Sequence, residues 1–191
     1  QHALVGEVAF GQVVGRQSGG VVGRQGDQVV EDAGAGRAVL LEGADLLVGQ
    51  AAELGVVGVM AMELFETVDG ELVVNELAMR PHNSGHWTMD GAVTSQFEQH
   101  LRAVLDLPLG SPRAREPWTV MGNVLGGEHQ DLYPTYRHLM ARDPELKVHL
   151  YGKGVRPGRK IGHVNVSGTD LADLRERARH AADYIQGVID E

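Results

Sequence analysis

The hydrophobic pattern becomes regular in the second quarter of the chain, where it predicts a helix followed by a β-hairpin. The helix covers 45–54 and stops at Gly55, which suits a left-handed C-terminal cap. An apolar, β-branched stretch over 56–65 is typical of a strand. Asp69-Gly70 then predicts a two-residue turn, so a second strand is expected over 71–76.

A second helix is predicted after a polar loop that leaves the hairpin. Ser95 and Glu98 form a capping box at its start, and the helix is expected to end near Leu107. Its apolar stripe consists of Phe97, Leu101, Val104 and Leu105.

A cluster of proline and glycine at 108–117 predicts a domain boundary. Beyond it the pattern predicts strands over 119–125, 147–151 and 161–166, a short helix around 133–141 and a closing helix. Ser167 and Asp170 are interpreted as the capping box of that last helix. The fold class predicted is therefore α+β, in three parts: an unassigned Gly/Val-rich segment over 1–50, a unit over 51–108 and a small β-rich unit over 118–191 closed by a helix.

Composition narrows the functional classes. The 191 residues include no cysteine, which excludes disulfides and thiolate metal sites and favours a cytoplasmic location. The net charge of −9 argues against nucleic-acid binding. The longest apolar run, 56–62, is too short to span a bilayer, and no signal-peptide pattern is present, so no membrane role is expected.

Two glutamates are predicted to face each other across the hairpin. Counting outward from a two-residue turn places Glu63 opposite Glu76, and like charges opposite each other destabilise a pair of strands. A divalent cation such as Mg²⁺ resolves this conflict, because it binds hard carboxylate oxygens, often together with nucleotide phosphates. The alternative is that both glutamates lie on a solvated face. Strict alternation points Asn75 to the opposite face, unless the strand twists or ends there.

The loop after the hairpin carries Arg80, His82, Asn83 and Ser84. A zinc site from His82 and His86 is disfavoured, since that spacing requires a continuous helix and Pro81 and Gly85 oppose one. A serine hydrolase is disfavoured because Ser84 does not lie in a Gly-x-Ser-x-Gly elbow. The loop instead predicts a polar pocket, in which Arg80 binds an anionic group and its neighbours supply hydrogen bonds.

A second candidate site is a basic turn at 152–160. It combines three glycines with Lys153, Arg156, Arg159 and Lys160, a composition that matches a phosphate group. The alternative is an ordinary exposed basic turn.

At these residues the chain resembles the C-terminal half of 5-(carboxyamino)imidazole ribonucleotide synthase, a family of ATP-grasp enzymes of purine biosynthesis. The matching segments lie at 58–65, 75–78, 80–86, 94–102 and 156–163. The resemblance implies the C-terminal part of an ATP-grasp domain over 51–108 and a small C-terminal domain over 118–191. It also implies a homodimer in the full-length family.

The activity implied is ATP- and bicarbonate-dependent carboxylation of aminoimidazole ribonucleotide through carboxyphosphate. Glu63 and Glu76 resemble the Mg²⁺ ligands, and Asn75 with Glu76 resembles the ATP-contacting pair. The loop 80–84 looks like the carboxylation pocket, and the basic turn resembles the segment near the ribonucleotide phosphate. The family's ATP-binding lysines are expected before Ala51, where 1–50 show no resemblance. The alternative is therefore a truncated, catalytically inactive fragment that retains at most binding of a phosphorylated ligand.

Overall fold

The computed structural model describes residues 4–15, 21–22, 51–69 and 71–190. The chain divides into two compact units at Glu116, inside the cluster of proline and glycine. The helix expected over 45–54 lies largely outside the described residues. Its expected end is confirmed, because Gly55 has a φ of +61°. Among the described residues, no helix is long and apolar enough to cross a membrane.

The first unit contains a four-stranded sheet in which all neighbouring strands are antiparallel. Its strands are β1 (Leu4–Gly15), β2 (Val21–Val22), β3 (Gly58–Thr67) and β4 (Leu72–Ala78), in the order β2-β1-β3-β4. The predicted hairpin consists of β3 and β4. Strand β3 begins two residues later than predicted, and β4 ends two residues later than predicted. The apolar run of β3 is buried from Val59 to Met62, which accounts for its hydrophobic sequence.

Short helices follow the hairpin: a 3₁₀ turn (Asn83–Gly85), α1 (Thr88–Gly91) and α2 (Gln96–Val104). The cap of α2 is confirmed, since the Ser95 hydroxyl accepts a hydrogen bond from the Glu98 backbone N–H at 3.3 Å. The expected burial of its apolar stripe is wrong. Phe97, Leu101, Val104 and Leu105 are all exposed. The buried residues of α2 are Gln96, Gln99 and Ala103, because the two amide side chains bond to the backbone of neighbouring loops.

The second unit is a three-stranded antiparallel sheet with helices, so the predicted α+β class is confirmed. Its elements are β5 (Trp118–Leu125), α3 (Tyr133–Arg142), β6 (Lys147–Leu150), β7 (Lys160–Gly168) and α4 (Leu171–Gln186), with strand order β5-β7-β6. Helix α4 packs its apolar face on the sheet. The core they share includes Val120, Val124, Val164, Val166, Leu174 and Ala178.

The capping box predicted for the closing helix is wrong. Ser167 lies inside β7, where its hydroxyl is 2.8 Å from the Thr119 hydroxyl. The N-cap of α4 is Asp170, whose carboxylate accepts hydrogen bonds from the Ala172 and Asp173 backbone N–H groups at 2.9 and 3.2 Å. Aspartate is an effective cap by itself, so the Ser-x-x-Asp spacing misplaced the start of the helix by three residues.

An ion pair joins the loop after α3 to α4, and we expect it to give the second unit an acid-sensitive stability. Arg177 donates two hydrogen bonds of 2.8 Å to the Asp143 carboxylate, which is 16% exposed. Burial raises the pKa of the Asp143 carboxyl, but the hydrogen bonds and charge of Arg177, with two backbone N–H groups, lower it by more. Its pKa in the folded state is therefore below that of the unfolded chain.

A carboxyl group with a lowered pKa stabilises the fold above its unfolded pKa of about 3.9, and this contribution disappears as the pH falls through the folded pKa. Asp143→Asn should therefore lower the unfolding temperature at pH 7, and its difference from the unmodified chain should shrink as the pH falls from 7 toward the folded pKa of Asp143. Thermal unfolding across this range measures both, with the exposed Asp190→Asn as the matched control. Equal unfolding temperatures for Asp143→Asn and the unmodified chain at pH 7 would contradict the assignment.

Candidate functional site

The hairpin brings Glu63 and Glu76 directly opposite each other, as the sequence predicted. The route to this pairing differs from the prediction. The Thr67 backbone N–H donates to the Glu71 carbonyl at 2.9 Å. Glu71 therefore lies opposite Thr67, whereas a two-residue turn at 69–70 would place it opposite Val68, so the register beside the turn is shifted by one residue. At the tip, Phe65 pairs with Val73. Farther from the turn, a register shift of one residue lies between Leu64 and Glu63, and it restores the predicted pairing of Glu63 with Glu76.

The register shift is a β-bulge at Asn75, and it gives the site an amide. Leu64 pairs with Val74 and Glu63 with Glu76, so Asn75 has no partner of its own on β3. Strict alternation would point Asn75 away from Glu76. Instead, the Asn75 side-chain amide donates to the Glu63 carboxylate at 3.2 Å. Asn75 therefore shares the site with Glu63 and Glu76 although it is adjacent to Glu76 in sequence.

His82 completes a cluster with the two glutamates. Its Nε2 lies 2.5 Å from a Glu63 carboxylate oxygen, and both side chains are largely buried. One donor atom from each of Glu63, Glu76 and His82 lies within 4.8 Å of the others. We call these three residues the carboxylate–imidazole cluster. The sequence placed His82 with the acceptor pocket only, and its contact with Glu63 could not be read from local spacing.

Ser84 fixes the orientation and the tautomer of the His82 ring. The Ser84 backbone N–H donates to His82 Nδ1 at 3.3 Å, and the Ser84 hydroxyl lies 2.9 Å from the same nitrogen. Because Nδ1 accepts a hydrogen bond from the Ser84 backbone N–H, the neutral ring carries its proton on Nε2, facing Glu63. In the structure, Ser84 therefore holds the His82 ring.

Arg80 lies at the exposed edge of the cluster. Its guanidinium is 3.7 Å from the Glu76 carboxylate and donates to the Pro81 carbonyl at 3.2 Å. Both charged side chains are about half exposed or more, at 61% and 49%, so this ion pair contributes little to stability. Asn83 opens the 3₁₀ turn directly after His82. The loop contains two separate short helical segments, the 3₁₀ turn and α1, so His82 and His86 do not lie on one continuous helix.

The basic turn of the second unit holds Lys153, Arg156 and Arg159 on an irregular backbone, and Lys160 begins β7. Gly152 and Gly158 have φ values of +66° and +72°, a conformation that favours glycine. Lys153 lies over the Tyr151 ring at 5.2 Å and donates to the Lys160 carbonyl at 3.5 Å. The Arg159 guanidinium donates to the Gly154 carbonyl at 3.3 Å. Arg156 is also exposed.

Gly126 anchors this turn from the end of β5. Its backbone N–H donates to the Arg159 carbonyl at 2.8 Å, and its carbonyl accepts from the Gly158 N–H at 2.9 Å. It also forms an isolated parallel bridge with Pro157. The sequence analysis missed Gly126, since a glycine after a strand carries no signal of what lies beside it.

Two family models match the chain. The ATP-grasp domain matches residues 6–97, and the phosphoribosylaminoimidazole carboxylase C-terminal domain matches residues 119–177. The first match begins well before Ala51 and includes most of β1, so it extends further toward the N-terminus than the sequence motifs indicated.

Curated relatives carry the same family name. The N5-carboxyaminoimidazole ribonucleotide synthase of Mycobacterium tuberculosis is 64% identical over 136 residues, which are 70% of this chain and 32% of the relative. That of Escherichia coli is 50% identical over 122 residues, or 64% of this chain and 32% of the relative. The chain thus spans about a third of the length of these relatives.

Solved structures agree with this assignment. The phosphoribosylaminoimidazole carboxylase ATPase subunit of Aquifex aeolicus superposes with a TM-score of 0.74 at 31% identity, over 95% of this chain and 56% of the other. The Aspergillus clavatus N5-carboxyaminoimidazole synthase, solved with ADP and 5-aminoimidazole ribonucleotide, gives 0.67 at 30% identity, over 97% of this chain and 52% of the other. The chain belongs to the N5-carboxyaminoimidazole ribonucleotide synthase family of ATP-grasp enzymes, and it matches the C-terminal half of that family.

Proposed function

We propose that this chain supplies the metal-binding and acceptor-binding part of an enzyme that carboxylates aminoimidazole ribonucleotide, using ATP and bicarbonate, to give N5-carboxyaminoimidazole ribonucleotide. The observation that carries the proposal is the convergence of Glu63, Glu76 and His82 within 4.8 Å on an ATP-grasp hairpin. The names of the relatives and the ligands of the Aspergillus clavatus structure support the same reaction.

The donor set fits Mg²⁺. Two carboxylates on paired strands repel each other unless a cation lies between them, and carboxylate oxygens are the ligands that Mg²⁺ prefers. When bound, Mg²⁺ neutralises phosphate charge during transfer of the ATP γ-phosphate. Glu63 and Glu76 would hold the ion. Asn75 and His82 would hold the Glu63 carboxylate in place, since both contact it, and Asn75 with Glu76 would face the nucleotide.

Arg80, His82, Asn83 and Ser84 form the proposed acceptor pocket. The exposed Arg80 guanidinium suits an anionic reactant such as bicarbonate, because it presents a planar fork of donors. Ser84 and Glu63 fix the His82 ring from both sides. A ring held in this way does not have to reorient during the reaction, so reorganisation of the ring adds no free energy to the barrier.

The basic turn is the proposed site for the ribonucleotide phosphate. Lys153, Arg156, Arg159 and Lys160 supply the positive charge, and no acidic residue occurs from 147 to 169. On a chain of net charge −9, this local excess favours an anionic ligand at the turn. We further expect the protein to act in the cytoplasm and, with the full length of its family, as a homodimer.

The test is ADP release by the purified chain with ATP, Mg²⁺, bicarbonate and aminoimidazole ribonucleotide. We expect release to require both bicarbonate and the ribonucleotide, since one supplies the carboxyl group and the other accepts it. A full-length relative assayed in parallel is the positive control. If the relative is active and the chain releases no ADP, the chain lacks the proposed activity. Binding of the ribonucleotide without turnover would favour the alternative of a binding fragment.

A further inference from the structure

We infer that Gln96 is a positioning residue for the carboxylate–imidazole cluster, which it serves by holding the backbone of His82. No charge or catalytic group marks Gln96, and its side chain does not touch Glu63 or Glu76 in any contact described above. The role in metal binding rests on the proposed function, whereas the placement of His82 does not.

The Gln96 side chain holds His82 at two points. Its Oε1 accepts from the His82 backbone N–H at 2.9 Å, and its Nε2 donates to the His82 carbonyl at 2.8 Å. Gln96 is fully buried, with 0% of its surface exposed. In such an environment a hydrogen bond is strong, and removing one partner leaves a buried polar group unsatisfied. The two bonds therefore fix both the position and the rotation of the His82 backbone.

Gln96 is itself held by the same loop. Its backbone N–H donates to the Thr88 hydroxyl at 2.9 Å, and that hydroxyl donates to the Gly85 carbonyl at 2.6 Å. The first residue of α2 is thus tied to both ends of the loop that carries His82 and Ser84. The His82 ring contacts Glu63 at 2.5 Å, so a displacement of this backbone would lengthen and weaken the hydrogen bond.

The chain contains a structural twin of this arrangement. Gln99 lies on the same face of α2, is 3% exposed, and holds the Gly110 backbone by the same two bonds, at 2.9 and 2.7 Å. Gly110 lies in the proline-rich segment and carries no side chain. Replacing Gln99 therefore removes the same chemistry from the same helix without altering the loop of His82, and it serves as a matched control.

The experiment compares Gln96→Met with Gln99→Met. Chain labelled with ¹⁵N-histidine reports the His82 Nε2–H as a strongly downfield proton that exchanges slowly with water, assigned by its loss in His82→Asn. We expect Gln96→Met to shift this proton upfield and speed its exchange, and Gln99→Met to leave it unchanged. Mn²⁺, titrated by electron paramagnetic resonance, should bind about 10- to 100-fold more weakly to Gln96→Met, as for other residues that orient metal ligands, and normally to Gln99→Met.

Thermal unfolding separates positioning from general damage, since both variants should lose similar stability. The inference is overturned if the His82 proton is the same in Gln96→Met and the unmodified chain, or if Gln99→Met changes it equally. If the unmodified chain binds no Mn²⁺, the metal part of the proposed function fails, and the His82 proton alone decides this inference. If Gln96→Met does not fold, Gln96→Asn replaces it, because its amide is one carbon too short to reach both His82 groups, and the same loss is expected.

Discussion

Glu76→Gln is expected to weaken Mn²⁺ binding by this chain strongly while leaving its fold unchanged. The carboxylate of Glu76 is half exposed, and its only close contact described here is the 3.7 Å approach of Arg80, so little stability depends on it. For a divalent cation it is one of two negative ligands. Halving the ligand charge should weaken binding by on the order of 100-fold, since affinity for these ions follows the number of charged ligands.

Electron paramagnetic resonance of free Mn²⁺ measures this affinity directly. Glu71→Gln is the matched control, because Glu71 is an exposed glutamate at the start of the returning half of the same hairpin and lies outside the cluster. It loses the same charge and should bind Mn²⁺ normally. Unchanged affinity in Glu76→Gln, or equal loss in both variants, would show that Glu76 is not a ligand.

Gly126→Ala is expected to dislodge the basic turn. A Cβ at Gly126 would lie 2.4 Å from the Arg156 carbonyl oxygen and 2.9 Å from its nitrogen, so the backbone of the turn must move. Overpacking of this kind destabilises a protein by about 1–3 kcal/mol. The hydrogen bonds from Gly126 to Arg159 and Gly158 would also be strained, which should weaken the proposed phosphate site.

Two measurements test this expectation. Chemical denaturation gives the loss of stability, and the amide resonances of Gly152, Gly154 and Gly158 report binding of ribose 5-phosphate. Gly168→Ala is the control, because its Cβ would meet only the Leu174 side chain, at 3.5 Å, an ordinary contact distance. If Gly126→Ala binds ribose 5-phosphate and unfolds like the control, the turn does not depend on Gly126.

The pairing of the two glutamates was predictable, although the reasoning contained two errors that cancel. The sequence gives no sign that Thr67 and not Val68 lies opposite Glu71, and an extra residue at Asn75 has no compositional signature. Each error shifts the register by one residue, in opposite directions. The repulsion between Glu63 and Glu76 was therefore inferred correctly, whereas the inclusion of Asn75 in the site required the structure.

The helix after the site shows a different limit of sequence reasoning. Hydrophobic spacing located α2 and its cap, but it assigned the wrong face to the interior. Burial of Gln96 and Gln99 is favourable only because each amide meets a backbone N–H and a carbonyl in a loop distant in sequence. Partners of this kind are set by the tertiary fold, so no local pattern predicts them. The contact of His82 with Glu63 was missed for the same reason.

The bulge at Asn75 means that the type of turn decides the composition of the site. The chain has twelve residues between Glu63 and Glu76. They fit either a two-residue turn with an unbroken ladder, as the sequence suggested, or the register of the structure, in which Thr67 faces Glu71 and Asn75 forms a bulge. Glu63 is opposite Glu76 in both arrangements, but in the unbroken ladder Asn75 would point to the other face of the sheet, and the site would keep both acids and lose its amide. The register of the turn, and not the number of residues, therefore separates a bare acidic pair from a three-group site.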